Sequence, residues 1–228
     1  MTGSANGFRA AIFDFGGVIT ASPFEAFNRL EEERGLPRDL VRRINAADPD
    51  GNAWALLERA EISRVEFDVR FGAEAAALGH ALRGADVLAV LAGAIRPGMV
   101  AALDAIRAAG LKLGCITNNV PDSAGPGMGA NAEAESRYAG IFARFDRVIE
   151  SSKAGVRKPD PRIYRMMCDA LAVSPDRCVY LDDLGINCKP AAALGMTAIK
   201  VTGEAQALAD LSAALGLELT RSVSGELA

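Results

Sequence analysis

The chain has 228 residues, of which 50% are apolar and 24% are charged, as in ordinary globular proteins. Its 25 basic and 29 acidic residues give a formal net charge of -4, which argues against a broad surface for nucleic acid or anionic membranes. The sequence contains no run of 18 apolar residues, which would predict a membrane span, and its N-terminus does not resemble a signal peptide. We therefore expect a cytoplasmic protein. The four scattered cysteines argue against a zinc site, and the single histidine argues against a histidine-based triad.

The first predicted element is a buried strand over Arg9 to Phe15, an apolar run that contains Asp14 and is followed by two glycines. From Ala21 to about Ala94 the apolar residues recur with helical spacing, and prolines and glycines divide this stretch. We predict five helices here, from Ser22 to Gly35 and over Arg38–Ala47, Ala53–Glu61, Val65–Leu78 and Asp86–Leu91.

After Pro97 the pattern changes to alternating helices and strands. We predict strands over Leu111–Ile116, Arg147–Glu150, Cys178–Leu181 and Thr197–Val201. We predict helices over Met99–Ala109, Pro161–Leu171, Lys189–Leu194 and Glu204–Leu215. This alternation predicts an α/β fold with a doubly wound parallel sheet.

One strand before the helical block and four after it predict that the block is inserted at the carboxyl edge of the sheet. We therefore expect a core domain of residues 1–20 and 96–228 and an all-helical cap domain of residues 21–95. Residues 121–131 are rich in glycine, proline and small side chains, which predicts a mobile loop.

Polar residues collect where the predicted strands end, and one lysine precedes a helix beside the sheet. The group consists of Asp14, Thr117, Asn118, Lys158, Asp182, Asp183 and Asn187. Each alone has an ordinary explanation as a turn residue, a cap or a solvated charge. Together they provide a carboxylate nucleophile, a hydroxyl and amide cradle, a cation and acids that suit Mg²⁺, which is a complete set for phosphoryl transfer.

These residues lie in four motifs that resemble those of the haloacid dehalogenase superfamily, subfamily I. The motifs occur in the superfamily's order, as FDFGG at 13–17, ITNN at 116–119, KPDPRIY at 158–164 and YLDDLGIN at 180–187. From Phe145 to Leu219 the sequence is similar to the N-terminal phosphatase domain of mammalian soluble epoxide hydrolase. The resemblance implies a Rossmann-like core with a helical cap and a Mg²⁺-dependent hydrolase of a small phosphorylated substrate. It does not extend to the epoxide-opening domain of that enzyme.

The resemblance also implies a role for the residues around the reacting phosphate. Asp14 is the nucleophile that becomes a phosphoaspartate. Thr117 and the backbone amide of Asn118 hold the phosphoryl oxygens, and Lys158 balances the charge between nucleophile and phosphate.

The same resemblance implies the ligands of the metal ion. One oxygen of Asp14, the backbone carbonyl of Gly16 and the carboxylate of Asp183 bind Mg²⁺. Asp182 and Asn187 orient metal-bound water from behind these ligands.

Gly16 departs from the superfamily pattern, which normally has a second aspartate there as general acid and then general base. Such groups contribute roughly 10²–10⁴-fold to a rate.

Three interpretations of the protein's function stay open. The protein is a phosphatase for acyl, anomeric or aryl phosphates, or one in which a cap acid, Asp122 or the substrate replaces the missing acid. It runs other superfamily chemistry, although dehalogenases lack the metal acids and phosphonate hydrolases need a cap lysine that is missing here between Val18 and Ala94. Or it is a non-catalytic phosphate-binding or regulatory protein.

The residues that select the substrate are expected in the cap, but the sequence does not identify them. Arg42, Arg43, Trp54, Arg70 and Phe71 are candidates for its inner face, against the simpler interpretation of buried aromatic core and solvated arginines. We expect a monomer or homodimer with no nucleic-acid or membrane partner.

Overall fold

The computed structural model describes residues 6–91, 93–120 and 132–219. Its centre is a five-stranded sheet in the order β3-β2-β1-β4-β5, with every neighbouring pair parallel. The strands are β1 Ala10–Phe13, β2 Lys112–Thr117, β3 Arg147–Glu150, β4 Cys178–Asp182 and β5 Thr197–Lys200. The chain runs outward in both directions from β1, so the predicted doubly wound parallel sheet is confirmed.

Five helices lie between β1 and β2 in the chain before the sheet resumes. They are α1 Pro23–Glu33, α2 Leu40–Ala47, α3 Ala53–Glu58, α4 Arg64–Ala77 and α5 Gly84–Ala89. The core helices are α6 Pro97–Ala108, α7 Ala132–Phe142, α8 Ser151–Ala154, α9 Pro161–Leu171, α10 Gly185–Ala193 and α11 Glu204–Leu215. All five helices predicted for the inserted block are therefore present.

Strand β1 is apolar throughout because both faces of the sheet are covered. Ile12 belongs to a hydrophobic cluster with residues of α9 and α10, whereas the next residue, Phe13, belongs to a cluster with residues of α6, α7 and α11. Successive side chains of a strand point to opposite faces, so an unbroken apolar run marks a strand buried on both sides. The inserted helices form a third cluster, which includes Leu40 and Phe67 and also contains Val120 from the loop after β2.

The two chain segments that join the inserted helices to the sheet lie side by side. Thr20 and Ile95 form an antiparallel bridge, and the backbone N–H of Ala21 donates to the carbonyl of Ala94 over 2.7 Å. The guanidinium of Arg96 donates to the carbonyl of Gly17 over 2.7 Å. The cap is therefore attached directly beside the turn that follows Asp14.

Some element boundaries differ from the predictions. Helix α10 begins at Gly185 and not at Lys189, so Asn187 lies in the first turn of a helix. Helices α7 and α8 were not predicted, because neither the small-residue sequence of α7 nor the four residues of α8 carries a strong apolar period. The predicted loop over 121–131, with Asp122, lies outside the described residues.

Candidate active site

A buried lysine between two carboxylates forms the centre of the candidate site. Asp14 directly follows β1, and Asp182 is the last residue of the neighbouring strand β4. The Nζ atom of Lys158 lies 2.7 Å from Oδ1 of Asp14 and 2.9 Å from Oδ2 of Asp182, and the lysine is 1% exposed. The structure thus brings together three residues that the sequence separates by up to 168 positions (182 minus 14).

Burial and charge act in opposite directions on these groups. Burial raises the pKa of the Asp14 carboxyl well above its usual value, Lys158 lowers it, and the nearby acids Asp182 and Asp183 raise it again. Burial alone would lower the pKa of Lys158, but the two carboxylates in contact with it raise the pKa overall. The lysine therefore stays charged, and the three acids around one cation leave a cluster that favours a further positive charge.

Asp182 is committed to contacts within the protein. Its oxygens accept hydrogen bonds from the Tyr180 hydroxyl at 2.5 Å, the Leu184 N–H at 2.8 Å and the Asn187 amide at 3.0 and 3.1 Å, in addition to Lys158. Tyr180 was missed in the sequence, although it lies two residues before Asp182 and so on the same face of β4. These contacts hold Asp182 where it anchors Lys158.

Asp14 and Asp183 retain oxygens that suit a metal ion. One carboxylate oxygen from each of Asp14, Asp182 and Asp183 lies within 4.8 Å of the others. Oδ2 of Asp183 accepts a hydrogen bond from the Ser22 hydroxyl at 2.7 Å, and Oδ1 of Asp14 accepts one from the N–H of Phe15 at 2.6 Å in addition to the lysine. Among the described residues the other oxygen of each has no partner from another residue. Hard oxygen donors in an anionic cluster fit Mg²⁺.

The two glycines after Asp14 differ in what they accommodate. Gly17 has φ +78°, and a Cβ atom there would lie 2.2 Å from Oδ2 of Asp183. Gly16 does not have a positive φ of the kind that side chains disfavour. A Cβ atom there would meet only the Pro23 ring at 3.6 Å, an ordinary contact. The close approach of Asp183 therefore requires glycine at 17, whereas the backbone at 16 has room for a side chain.

The loop after β2 lies beside the lysine. Thr117 is buried at the end of the strand, and the Asn118 side chain pairs with the backbone of Lys158, accepting from its N–H at 2.9 Å and donating to its carbonyl at 3.1 Å. The Asn118 side chain therefore helps to position Lys158. Its backbone amide, the group expected at the phosphate, belongs to the same short loop.

A cavity of about 530 Å³ lies between these strand ends and the cap. Asp14, Gly16, Thr117, Asn118, Lys158, Asp183 and Asn187 line it from the core. Of the five cap candidates, Arg42 and Trp54 line the cavity, Phe71 is buried in the cap cluster, and Arg43 and Arg70 are exposed elsewhere. The expectation that Trp54 is simply core is incomplete, because its ring packs on Phe67 and also borders the cavity.

An ion pair between the buried Glu58 of the cap and the half-buried Arg157 of the core was missed in the sequence. Glu58 of α3 accepts from Nε of Arg157 at 2.6 Å, from the Trp54 indole at 2.8 Å and from the Asn118 amide at 3.2 Å. Arg157 also donates to the carbonyl of Pro49 at 3.1 Å. No local sequence pattern links residues 99 positions apart. The one sequence feature that could have pointed to this ion pair was the arginine adjacent to Lys158.

The chain is similar in sequence and in fold to several known proteins. Residues 8–195 match the family model of haloacid dehalogenase-like hydrolases. Bifunctional epoxide hydrolase 2 of Sus scrofa is 31% identical over 94% of this chain and 40% of that protein. Phosphatase MT3486 of Mycobacterium tuberculosis is 29% identical over 86% of this chain and 88% of that protein. A family enzyme of Bacteroides thetaiotaomicron, solved in complex with magnesium and inorganic phosphate, superposes with a TM-score of 0.57 at 17% identity, over 87% of this chain and 96% of that chain.

The chain spans 20% to 40% of the length of the mammalian relatives that it matches at 30% identity or more. Within the described residues, no helix is both long and apolar enough to cross a bilayer. The family model and the shared fold confirm the resemblance read from the four motifs: the chain belongs to the haloacid dehalogenase-like hydrolase family.

Proposed function

We propose that the protein is a Mg²⁺-dependent phosphatase that forms a phosphoaspartate on Asp14. The observation that carries this proposal is the buried Asp14–Lys158–Asp182 centre, with Asp183 beside it, in the floor of a cavity large enough for a small organic phosphate. The name of the mycobacterial relative and the magnesium and phosphate in the Bacteroides structure support the same chemistry.

In the proposed reaction a carboxylate oxygen of Asp14 attacks phosphorus, and the bond from phosphorus to the leaving oxygen breaks. Thr117 and the amide of Asn118 hold the phosphoryl oxygens, and Lys158, anchored by Asp182, offsets their charge. Water then attacks the phosphorus of the phosphoaspartate, which releases phosphate and restores Asp14. Mg²⁺ held by Asp14, Asp183 and the Gly16 carbonyl would supply positive charge at the phosphoryl group.

The leaving oxygen receives no proton from residue 16, because glycine has no side chain. Glu58 is the buried cap acid that lines the cavity, but it accepts hydrogen bonds from three donors, including the Arg157 guanidinium. These contacts occupy both carboxylate oxygens of Glu58, so neither is free to approach the leaving oxygen. The proposed substrates are therefore those whose leaving group departs without protonation.

The direct test is hydrolysis of acetyl phosphate and p-nitrophenyl phosphate with and without Mg²⁺. Asp14→Asn should eliminate turnover, and Lys158→Ala should reduce it by several orders of magnitude because the anionic centre loses its cation. Exposed Lys153, which pairs with Glu150, offers the matched control, and Lys153→Ala should retain full activity. Substantial activity in Asp14→Asn would place the chemistry elsewhere.

Gly16 also supports a second candidate, a phosphate-binding protein without turnover. That protein would bind inorganic phosphate in the presence of Mg²⁺ and hydrolyse neither substrate. The acids at 182 and 183 argue against a third candidate, dehalogenation, for which an anionic metal-binding cluster has no use.

A further inference from the structure

Three aromatic rings of the cap border the cavity. Phe24 and Phe27 of α1 meet edge to face with centroids 5.7 Å apart, and Phe27 meets Trp54 of α3 in the same manner at 5.7 Å. All three line the cavity. The indole N–H of Trp54 donates to Glu58, so the ring offers the cavity carbon surface and no free donor.

Asn52 on the cap side is engaged by other protein groups, whereas the buried Oδ1 of Asn45 has no hydrogen-bond partner among the described residues. The Asn52 amide donates to the carbonyl of Asn45 and its oxygen accepts from the N–H of Ala55, both at 2.7 Å. The guanidinium of Arg42 lies 3.9 Å from the centroid of the Phe24 ring. A sugar phosphate would place hydroxyls against the three rings, where they find no partner, whereas an apolar leaving group has no hydroxyl to leave unpaired there.

The position beside the leaving oxygen is apolar as well. The nearest atoms to a Cβ atom at Gly16 belong to the Pro23 ring, which opens α1 and lines the same cavity. An oxygen expelled here keeps its charge as the bond breaks. A phenol hydroxyl, with a pKa of about 10, bears that charge far better than an alcohol, whose pKa lies much higher, near that of water.

We propose that the substrates are phosphate monoesters of phenols, with the aryl ring seated against Phe24, Phe27 and Trp54. This inference rests on the proposed function. Asp14 forms the new bond to phosphorus, the bond from phosphorus to the aryl oxygen breaks, and the electron pair leaves on the aryloxide. The aryloxide takes its proton from water after it departs.

Binding is measured first with phosphonates that cannot turn over. Benzylphosphonate carries a methylene in place of the aryl oxygen of phenyl phosphate, and methylphosphonate and cyclohexylmethylphosphonate are its smaller and its non-aromatic counterparts. Titration with Mg²⁺ present can be followed by the fluorescence of Trp54, the chain's one tryptophan, and by calorimetry. Benzylphosphonate should bind at least about tenfold more tightly than methylphosphonate, from apolar burial. It should bind about fivefold more tightly than the cyclohexyl compound, from ring-to-ring contacts.

Two cap variants localise the effect. Phe27→Leu and Trp54→Leu should each lower the affinity for benzylphosphonate by about threefold to tenfold and leave the affinity for methylphosphonate unchanged, as measured by calorimetry. Phe71→Leu is the matched control, because this ring lies in the cap cluster and does not line the cavity. If Phe71→Leu lowers benzylphosphonate affinity as much as the other two, the ring does not sit where we place it.

The kinetic arm separates this inference from the proposed function. Phenyl phosphate should have a kcat/KM at least about 10²-fold above that of cyclohexyl phosphate, the size of effect that a missing general acid permits. Equal values, or equal binding of the aryl and cyclohexyl phosphonates, would overturn the aryl preference even while acetyl phosphate is hydrolysed. Failure to hydrolyse acetyl phosphate as well would overturn the phosphatase proposal itself.

Discussion

At the scale of single residues, the adjacent Gly16 and Gly17 differ in the space that surrounds them. The motif comparison identified residue 16 as the place where an aspartate is missing. The structure adds that its backbone has room for a side chain, whereas Gly17 is needed because Asp183 lies against it. Whether a glycine is replaceable depends on neighbours distant in the chain, so the sequence alone could not separate the two.

Gly16→Asp should therefore fold and place a carboxylate beside the leaving oxygen. We expect its kcat/KM for an alkyl phosphate to rise by up to about 10²-fold. The gain should be smaller for acetyl phosphate, because its leaving group, acetate, departs without protonation. Steady-state kinetics on both substrates measure the ratio, and thermal unfolding with Mg²⁺ verifies that fold and metal binding are intact. A folded variant with no gain on the alkyl ester would mean that another group already supplies the proton.

Gly17→Ala should destabilise the protein through two effects, the positive φ and the overlap with Asp183. Gly79→Ala is the matched control, because Gly79 has φ +81° but no heavy atom within 4 Å of the added Cβ position. The control should lose about 1–2 kcal/mol of unfolding free energy from the backbone alone. Urea denaturation should show a clearly larger loss for Gly17→Ala. Equal losses would mean that the Asp183 carboxylate moves aside freely.

At the scale of elements, apolar runs predicted the strands because β1, β2 and β4 are buried on both faces, and the edge strands β3 and β5 keep apolar residues at their centres. The start of α10 was misplaced since Leu184, Gly185 and Ile186 lack the capping residues that usually mark a helix N-terminus. For the site, the strand ends predicted which residues converge on Asp14. Contacts between the cap and the core were not predictable, because no periodicity encodes them.

The Glu58–Arg157 pair is the contact through which a cap helix reaches the residue next to Lys158. Glu58→Gln leaves the half-buried Arg157 guanidinium with a neutral partner, so we expect about 1–3 kcal/mol of lost unfolding free energy. Glu61→Gln is the control, because Glu61 pairs with Arg59 just after the same helix but is exposed. Its loss should stay below about 0.5 kcal/mol by the same denaturation measurement. If the two variants are equally stable, the buried pair contributes nothing beyond a surface pair.

Glu74 of α4 carries a pH-dependent cost inside the cap. It accepts from the N–H of Ala53 at 2.7 Å through one oxygen, whereas the other is buried without a hydrogen-bond partner among the described residues. Burial raises the pKa of this carboxyl. A folded-state pKa above the unfolded value favours the protonated form, so stability is present at low pH and lost as pH rises through the folded pKa.

Glu74→Gln should therefore unfold at a higher temperature than the parent protein at pH 7. The amide keeps an acceptor for the N–H of Ala53 and removes the buried charge. The difference should shrink as the pH falls toward and below the ordinary pKa of a glutamate, about 4.3, because below it the parent carboxyl is protonated in both states. Thermal melts at several pH values follow this trend. A difference that grows on acidification would reverse the assigned direction.

At the scale of the whole molecule, the order of strands and helices was sufficient to predict the architecture. A parallel sheet whose chain runs outward from its first strand has one topological switch point, and Asp14 lies there at the carboxyl end of β1. The paired segments around Thr20 and Ile95 then attach the cap over that point. The residues that line the cavity could not be predicted from the sequence. Which cap residues face the cavity depends on how the cap helices pack against one another and against the core.

Binding of Mg²⁺ should couple this site to the stability of the entire chain, because the ion binds where the fold brings distant acids together. At a concentration 100 times the dissociation constant, binding to the folded state alone adds about 2.7 kcal/mol. The Tm should therefore rise with millimolar Mg²⁺ and return after chelation. Asp183→Asn should lose most of this rise.

Burial raises the pKa of Asp183, so the folded protein bears a cost for the charge of this carboxylate near neutral pH. When both proteins are measured with chelator present, Asp183→Asn should therefore have a higher Tm than the parent protein. Exposed Asp176 provides the control, and Asp176→Asn should keep the full Mg²⁺ response. A parent protein indifferent to Mg²⁺ and chelator, or a variant that responds as strongly as the parent, would contradict a metal site at Asp14 and Asp183.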